Sequence, residues 1–273
     1  NVPSQPIAIL LDFSFLKPER NTIFAWAWEK YGVQSHAAYG DYDDSCLFGY
    51  ATGIVMESLY KHLIQGKESL RFVAHVNEWQ TAFTIFYLRE HCPAIGTLFT
   101  THATSIGRSI AGNGKPLYDY FRGYHGDQMA QELNMVSKHS AEKKAAQYCD
   151  CFTTVSDITA LECEQLLDRK VDIVTPNGFE PDFVPKGAAF TKQRNQARLA
   201  LKTVASTILN KTISKTDLFV CTAGRLEWKN KGIDAYLDSL HALDKQMEEK
   251  QCAKHITAFV MIPYLDKNSY SLR

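Results

Sequence analysis

The residues with the clearest chemical potential form a ten-residue turn, Ala223-Gly224-Arg225-Leu226-Glu227-Trp228-Lys229-Asn230-Lys231-Gly232, directly after the apolar run Leu218–Cys221. Gly224 lets the chain turn sharply off a strand, and Gly232 lets backbone approach a ligand near the start of the next helix. Arg225 and Lys231 bracket the turn, close to a helix N-terminus whose N–H groups favour an anion. Arginine offers phosphate oxygens a planar fork and lysine a mobile point charge, so the pattern suits a diphosphate such as the leaving group of a nucleotide sugar. A solvated basic turn is the other reading of the same residues.

A second set follows another apolar run. In Thr101-His102-Ala103-Thr104-Ser105-Ile106-Gly107-Arg108, His102 could hydrogen-bond a sugar hydroxyl or assist a departing phosphate. It could equally be a histidine satisfied at a strand end, since both ring nitrogens find partners easily. Arg108 either reaches the same place or is an exposed helix arginine. Asn77-Glu78-Trp79 could set an aromatic face under a sugar, unless Trp79 is core. Ser156-Asp157 and Thr175-Pro176-Asn177-Gly178 complete the set. Asp41-Tyr42-Asp43-Asp44 reads as an acidic turn and helix cap rather than a glycosidase carboxylate pair. No G-x-G-x-x-G follows a strand and there is no Walker loop, which lowers a nicotinamide-enzyme reading.

These segments are positioned by an alternation of short apolar runs and longer amphipathic stretches. The strand-like runs are Ile7–Leu11, Phe72–Val76, Thr97–Thr100, Cys151–Val155, Asp172–Val174, Leu218–Cys221 and Ile256–Ile262. Helical stretches are expected at Asn21–Tyr31, Leu47–Ile64, Trp79–Glu90, Met129–Tyr148, Ile158–Asp168, Lys192–Leu209 and Ile233–Glu249. The pattern predicts an α/β fold with parallel sheets covered on both faces. In such sheets ligands bind at the carboxyl ends of the strands, so five strands are expected to point polar or glycine-bearing turns at one rim. The boundary is placed after Gly178, where Glu180–Ala189 carries two prolines and a glycine before a basic helix. This gives a first domain over 1–178 and, over 179–273, a connection and the start of a second domain.

Composition excludes more than it selects. The 273 residues are 45% hydrophobic and 22% charged, enough for a substantial core. Lys plus Arg and Asp plus Glu balance at 30 each, so net charge points to neither nucleic acid nor an anionic membrane, and anion binding must come from local placement. No run approaches the length of a membrane span. Seven scattered cysteines, with Cys149 and Cys151 two apart and Cys163 distant, lack zinc spacing and read as buried thiols of a reducing cytoplasm. The chain opens at Asn1 without an initiator Met or signal-peptide pattern, and reads as a cut piece.

Taken together, FTTHATSIGR (99–108), DCFTTVSDITALECEQLLDRKVDIVTPNGF (150–179) and AGRLEWKNKGID (223–234) closely resemble the glycogen synthases of the fungal and animal type, in register from the Ile7–Phe13 run to the Phe259–Pro263 run. Residues 102–120 give it the look of a bacterial member. The resemblance implies the GT-B architecture, two Rossmann-like domains facing across a cleft, the first nearly complete here and the second only begun. It implies retaining transfer of glucose from UDP-glucose to the nonreducing 4-hydroxyl of an α-1,4-glucan. Arg225 and Lys231 match the family's diphosphate-binding pair, with Gly224 beside them. His102 and Arg108 match residues facing the donor sugar and phosphates, and Asn177 one near the cleft. His102, Arg225 and Lys231 are thus the expected catalytic groups, and Asn77, Glu78 and Trp79 a candidate sugar contact.

The resemblance also implies no metal and no cofactor beyond the donor, a cytoplasmic location, a glucan and a nucleotide sugar as partners, no nucleic acid and no membrane, and leaves a homo-oligomer open. Two departures stand out. The family's His-x-His-Glu-Trp is here His75-Val76-Asn77-Glu78-Trp79, with asparagine for the second histidine. The family's N-terminal glycine turn, its later glutamates and uridine-binding groups, and its arginine-rich helix sensing glucose 6-phosphate have no counterpart in the chain, so the piece alone is expected to be inactive. The alternatives are a related GT-B enzyme using ADP-glucose and a non-catalytic carbohydrate-binding or regulatory piece.

Overall fold

A computed structural model describes residues 6–65 and 69–263. The chain divides into two compact units, residues 1–179 and 180–273, and each is built on a parallel sheet. The fold class is α/β.

In chain order the first unit contains α1 (Arg20–Tyr31), α2 (Tyr42–Leu63), β1 (Phe72–Asn77), α3 (Ala82–His91), β2 (Ile95–Thr101), α4 (Ser105–Gly112), α5 (Gly126–Glu132), α6 (Val136–Tyr148), β3 (Cys151–Thr154), α7 (Asp157–Leu167) and β4 (Ile173–Val174). The strands are parallel in the order β1-β2-β3-β4, pairing Val76 with Phe99, Thr101 with Thr154, and Thr154 with Val174. Parallel neighbours need crossovers, and α3, α4 to α6, and α7 supply them. Phe83, Phe86, Leu88, Phe99, Phe152 and Leu167 fill the main core. Ile106 and Ile110 of α4 pack with Met129 and Leu166 in a smaller cluster, which seats α4 firmly.

In the first unit four expectations are corrected, and a fifth in the second. Ile7–Leu11 forms no strand, and Ile7 and Leu10 are almost fully exposed, because a β-type run becomes a strand only when its backbone finds a ladder. Cover on both faces of the first sheet is not met either. Along β1, Ala74 and Val76 are buried while Val73 (70% exposed), His75 and Asn77 face outward, because α2 packs on α3 rather than on the opposite face. The stretch 129–148 breaks into α5 and α6, where Asn134 takes a left-handed conformation (φ 54°). Finally, the segment expected as a turn after β2 enters α4 at Ser105, because the Thr104 side chain caps the helix by accepting the Gly107 N–H.

The second unit contains α8 (Gly187–Ile208), β5 (Leu218–Ala223), α9 (Ile233–Glu249) and β6 (Ile256–Met261), with β5 and β6 parallel and Cys221 opposite Phe259. The Tyr236 hydroxyl of α9 donates to the Val220 carbonyl at 3.1 Å, laying the helix on the sheet. The turn after β5 therefore belongs to a separate sheet, and the expected single rim of five turns is a rim of four in the first unit and one turn in the second.

Candidate active site

At the carboxyl end of the first sheet, β1 ends in a strained residue. Glu78 has φ 64° and ψ 161°, a region that glycine alone occupies readily and that costs another residue on the order of 1–3 kcal/mol. Its neighbours over-determine this conformation. The Glu78 N–H donates to the Thr100 carbonyl (2.9 Å), and its carboxylate accepts the His102 N–H at 3.0 Å and lies 3.5 Å from the Arg108 guanidinium. The strain thus turns the carboxylate across the end of β2.

His102 is half-buried, with Nε2 3.3 Å from the Asn77 side-chain oxygen. Asn77, standing where the related motif has histidine, thereby directs the His102 ring, which donates from Nε2 in this arrangement. Glu78, His102, Asn77 and the half-exposed Arg108 form one polar group. Trp79 is buried, its ring parallel to that of Tyr42 at 5.9 Å and beneath the Lys138 ammonium at 4.8 Å. It packs into the core and also lines the cavity that opens beside these residues. Asn177 lies exposed in the segment after β4.

A cavity of about 320 Å³ opens beside this group, lined among others by Glu78, Gln80, Ser105, Arg108 and Lys138. Buried Gln80 Oε1 and Ser105 Oγ have no hydrogen-bond partner. Arg108 and Lys138 bring two cations to the cavity, each paired with a carboxylate, Glu78 at 3.5 Å and Asp41 at 2.7 Å, so a polar ligand there would meet both signs of charge.

The turn from β2 into α4 is held from below. Glu142 of α6 accepts the Thr101 hydroxyl (2.6 Å) and the Ser105 N–H (2.7 Å). Glu162 of α7 accepts the Thr104 hydroxyl (3.0 Å), whose oxygen caps α4 by accepting the Gly107 N–H. Gly107 is needed because a Cβ there would sit 2.5 Å from Thr104 Oγ1 and 2.8 Å from Glu162 Oε2. Burial pushes the Glu142 carboxyl above the usual carboxylate range, against the hydrogen bonds from Ser105 and Thr101. Glu142, Glu162, Gln80, Ser105 and Lys138 escaped sequence reasoning. The available signal for Glu142 was an acid on the small-residue face of α6, between Ala141, Ala145 and Ala146.

In the second unit, Gly224 has no left-handed backbone; the aliphatic stem of Lys231 lies over it, 3.5 Å from where a Cβ would stand. Gly232, at φ 61°, does occupy the left-handed region as it enters α9. Arg225 pairs with Glu227 at 2.9 Å and is largely exposed. The first N–H groups of α9 are already engaged: Ile233 donates to the Trp228 carbonyl (3.0 Å) and Ala235 to the Asp234 side chain (2.9 Å). The helix end therefore offers few free N–H groups, and the matched cations of this turn, Arg225 and Lys231, act through their side chains alone. Among the described residues no group of three His, Cys, Asp or Glu could hold a metal, and no helix is long and apolar enough to cross a membrane.

Known proteins place these features in context. The glycogen synthase family profile matches residues 2–272. A glycogen [starch] synthase of Dictyostelium discoideum is 30% identical over 98% of this chain and 30% of its own length. The human liver glycogen [starch] synthase is 28% identical over 98% of this chain and 38% of its own. The catalytic domain of Arabidopsis thaliana starch synthase IV aligns with a TM-score of 0.47 and 14% identity, over 84% of this chain and 54% of that one. The chain spans about a third of the length of these two glycogen synthases. By its match from end to end, the chain belongs to the glycogen synthase family.

Proposed function

We propose that the protein carrying this chain is a GT-B glycosyltransferase that moves glucose from UDP-glucose to the nonreducing 4-hydroxyl of an α-1,4-glucan, with retention and without a metal. The observation that carries the reading is the family match over residues 2–272, which includes Arg225 and Lys231 on one turn at the carboxyl end of a parallel strand. In the reaction, negative charge grows on the leaving diphosphate as the glycosidic bond breaks, and these two cations meet it. Arg225 must leave Glu227 to make a forked contact, which its exposure permits. His102 and Arg108 serve the donor sugar and its phosphates, beside a polar cavity lined by Glu78, Arg108 and Lys138. Four of the seven cysteines are buried as expected, but Cys221 and Cys252 are exposed and Cys151 half-buried; a cytoplasmic setting is part of the proposal.

The test is incubation of the full-length protein with glycogen and labelled UDP-glucose or ADP-glucose in parallel. Label is expected in polymer from UDP-glucose, with α-1,4 linkages shown by enzymatic digestion. Incorporation from ADP-glucose alone would reassign the donor. Glucan binding without incorporation from either donor would leave only a binding protein.

A further inference from the structure

Among the described residues of the first unit, two carboxylates are almost fully out of water: Glu142 (0% exposed) and Glu162 (4%). Neither makes an ion pair with a described residue, although burying a carboxylate without a cation costs several kcal/mol unless donors replace water. Glu142 spends both oxygens on one short turn and Glu162 one, the other Glu162 oxygen accepting the Tyr118 hydroxyl at 2.5 Å. Glu142 spans the turn, one oxygen on Thr101 at the end of β2 and the other on Ser105 at the start of α4, so His102, Ala103 and Thr104 lie inside a bridge made by a single side chain. Glu162 holds Thr104 from the next helix. The two groups the turn carries, the His102 N–H and the Arg108 guanidinium, both converge on the Glu78 carboxylate.

We infer that Glu142 is a positioning residue: its bridge from Thr101 to Ser105 sets the turn so that His102 and Arg108 arrive together at the strained end of β1, with Glu162 as a second tether. The kinetic part of this inference rests on the glucosyl-transfer reading; the structural part does not. An apolar side chain of similar volume would fill the same space but leave the Ser105 N–H buried without a partner and the Thr101 hydroxyl with only its long contact to the Ala103 carbonyl (3.4 Å). A displacement of about 1 Å in the turn is then enough to cost on the order of a hundredfold in rate.

The experiment uses the full-length protein, with hydrogen exchange at Ser105–Arg108 and steady-state kinetics as separate arms. In Glu142→Leu these amides should exchange at least about tenfold faster while those of β1 do not change, and kcat should fall at least about tenfold with donor KM altered less than about threefold. Glu142→Gln should stay within about threefold of wild type in kcat, since its amide oxygen still accepts the Ser105 N–H. Thr101→Val should produce the same kind of change as Glu142→Leu, and adding it to that variant should bring little further loss. Lys143→Met, one residue along α6, breaks contacts to Asp127 and Asp168; it should lower stability but leave turn exchange and kcat alone.

Wild-type exchange and kcat in Glu142→Leu would overturn the inference, as would equal losses of kcat in Glu142→Leu and Lys143→Met. If Glu142→Leu does not fold, Thr101→Val decides: unchanged exchange at Ser105–Arg108 overturns the inference and faster exchange sustains it. If wild type transfers no glucose, the glucosyl-transfer reading fails, and the exchange arm still decides the role of Glu142.

Discussion

The turn after β2 and the turn after β5 both lead from a parallel strand into a helix with an arginine nearby, yet they are built in opposite ways. In the first, Thr101, Thr104 and Ser105 are buried and four side-chain oxygens, two of Glu142 and one each of Glu162 and Thr104 itself, hold the turn. In the second, Leu226 and Trp228 are 70% and 54% exposed, and the turn relies on its own backbone bonds and one surface ion pair. Buried polar clamps fix a geometry before a ligand arrives. An exposed turn leaves its cations free to adjust to a charge but spends side-chain entropy when they do. The first turn is suited to orientation, the second to electrostatic capture.

The sharpest way to break the comparison is to add one carbon to each turn. Gly107→Ala forces a Cβ against Thr104 Oγ1 and Glu162 Oε2, and should destabilise the first unit by about 1–3 kcal/mol in denaturant melts. A neutral result would mean the clamps are loose. Gly224→Ala, where a Cβ meets only the flexible Lys231 stem at ordinary contact distance, should shift stability by no more than about 0.5 kcal/mol.

Between these lies a pH effect. Because burial raises the folded-state pKa of Glu142, the native chain binds more protons than the unfolded chain at pH values above the ordinary carboxylate pKa. The contribution of this group is full below that value and is lost as pH rises through the folded pKa. The stability of wild type minus that of Glu142→Gln, from urea unfolding, should therefore fall as pH is raised from about 4 toward neutrality. A difference that rises with pH would show that the clamp is stabilised as the charged form.

The alternation of apolar runs and helices was legible because strand and helix periods are local properties. Six of the seven strand-like runs became strands, from Phe72–Asn77 to Ile256–Met261. The seventh, Ile7–Leu11, shows the limit: local pattern cannot supply a pairing partner. The turns could be read because Thr, Ser, His and Gly interrupt apolar runs at strand ends. What holds them could not. Glu142 and Glu162 look like solvated helix acids until the packing of α6 and α7 shows which way they face, and the Glu78 backbone has no signature in sequence, being a consequence of three long-range contacts.

The most direct test of the central claim is donor kinetics in the full-length protein for Arg225→Ala, Lys231→Ala and Lys229→Ala. A charge-assisted hydrogen bond is worth about 1.5–3 kcal/mol, so each of the first two should lower kcat/KM about tenfold to a hundredfold. Because the phosphate charge is larger in the transition state, kcat should fall more than donor KM rises. Arg225→Lys should restore only part of the loss, an ammonium being unable to make the forked contact. Lys229→Ala, in the same turn, should change little. Equal behaviour of the three alanine variants, or near-normal kcat in Arg225→Ala and Lys231→Ala, would contradict the phosphate role and leave a solvated basic turn.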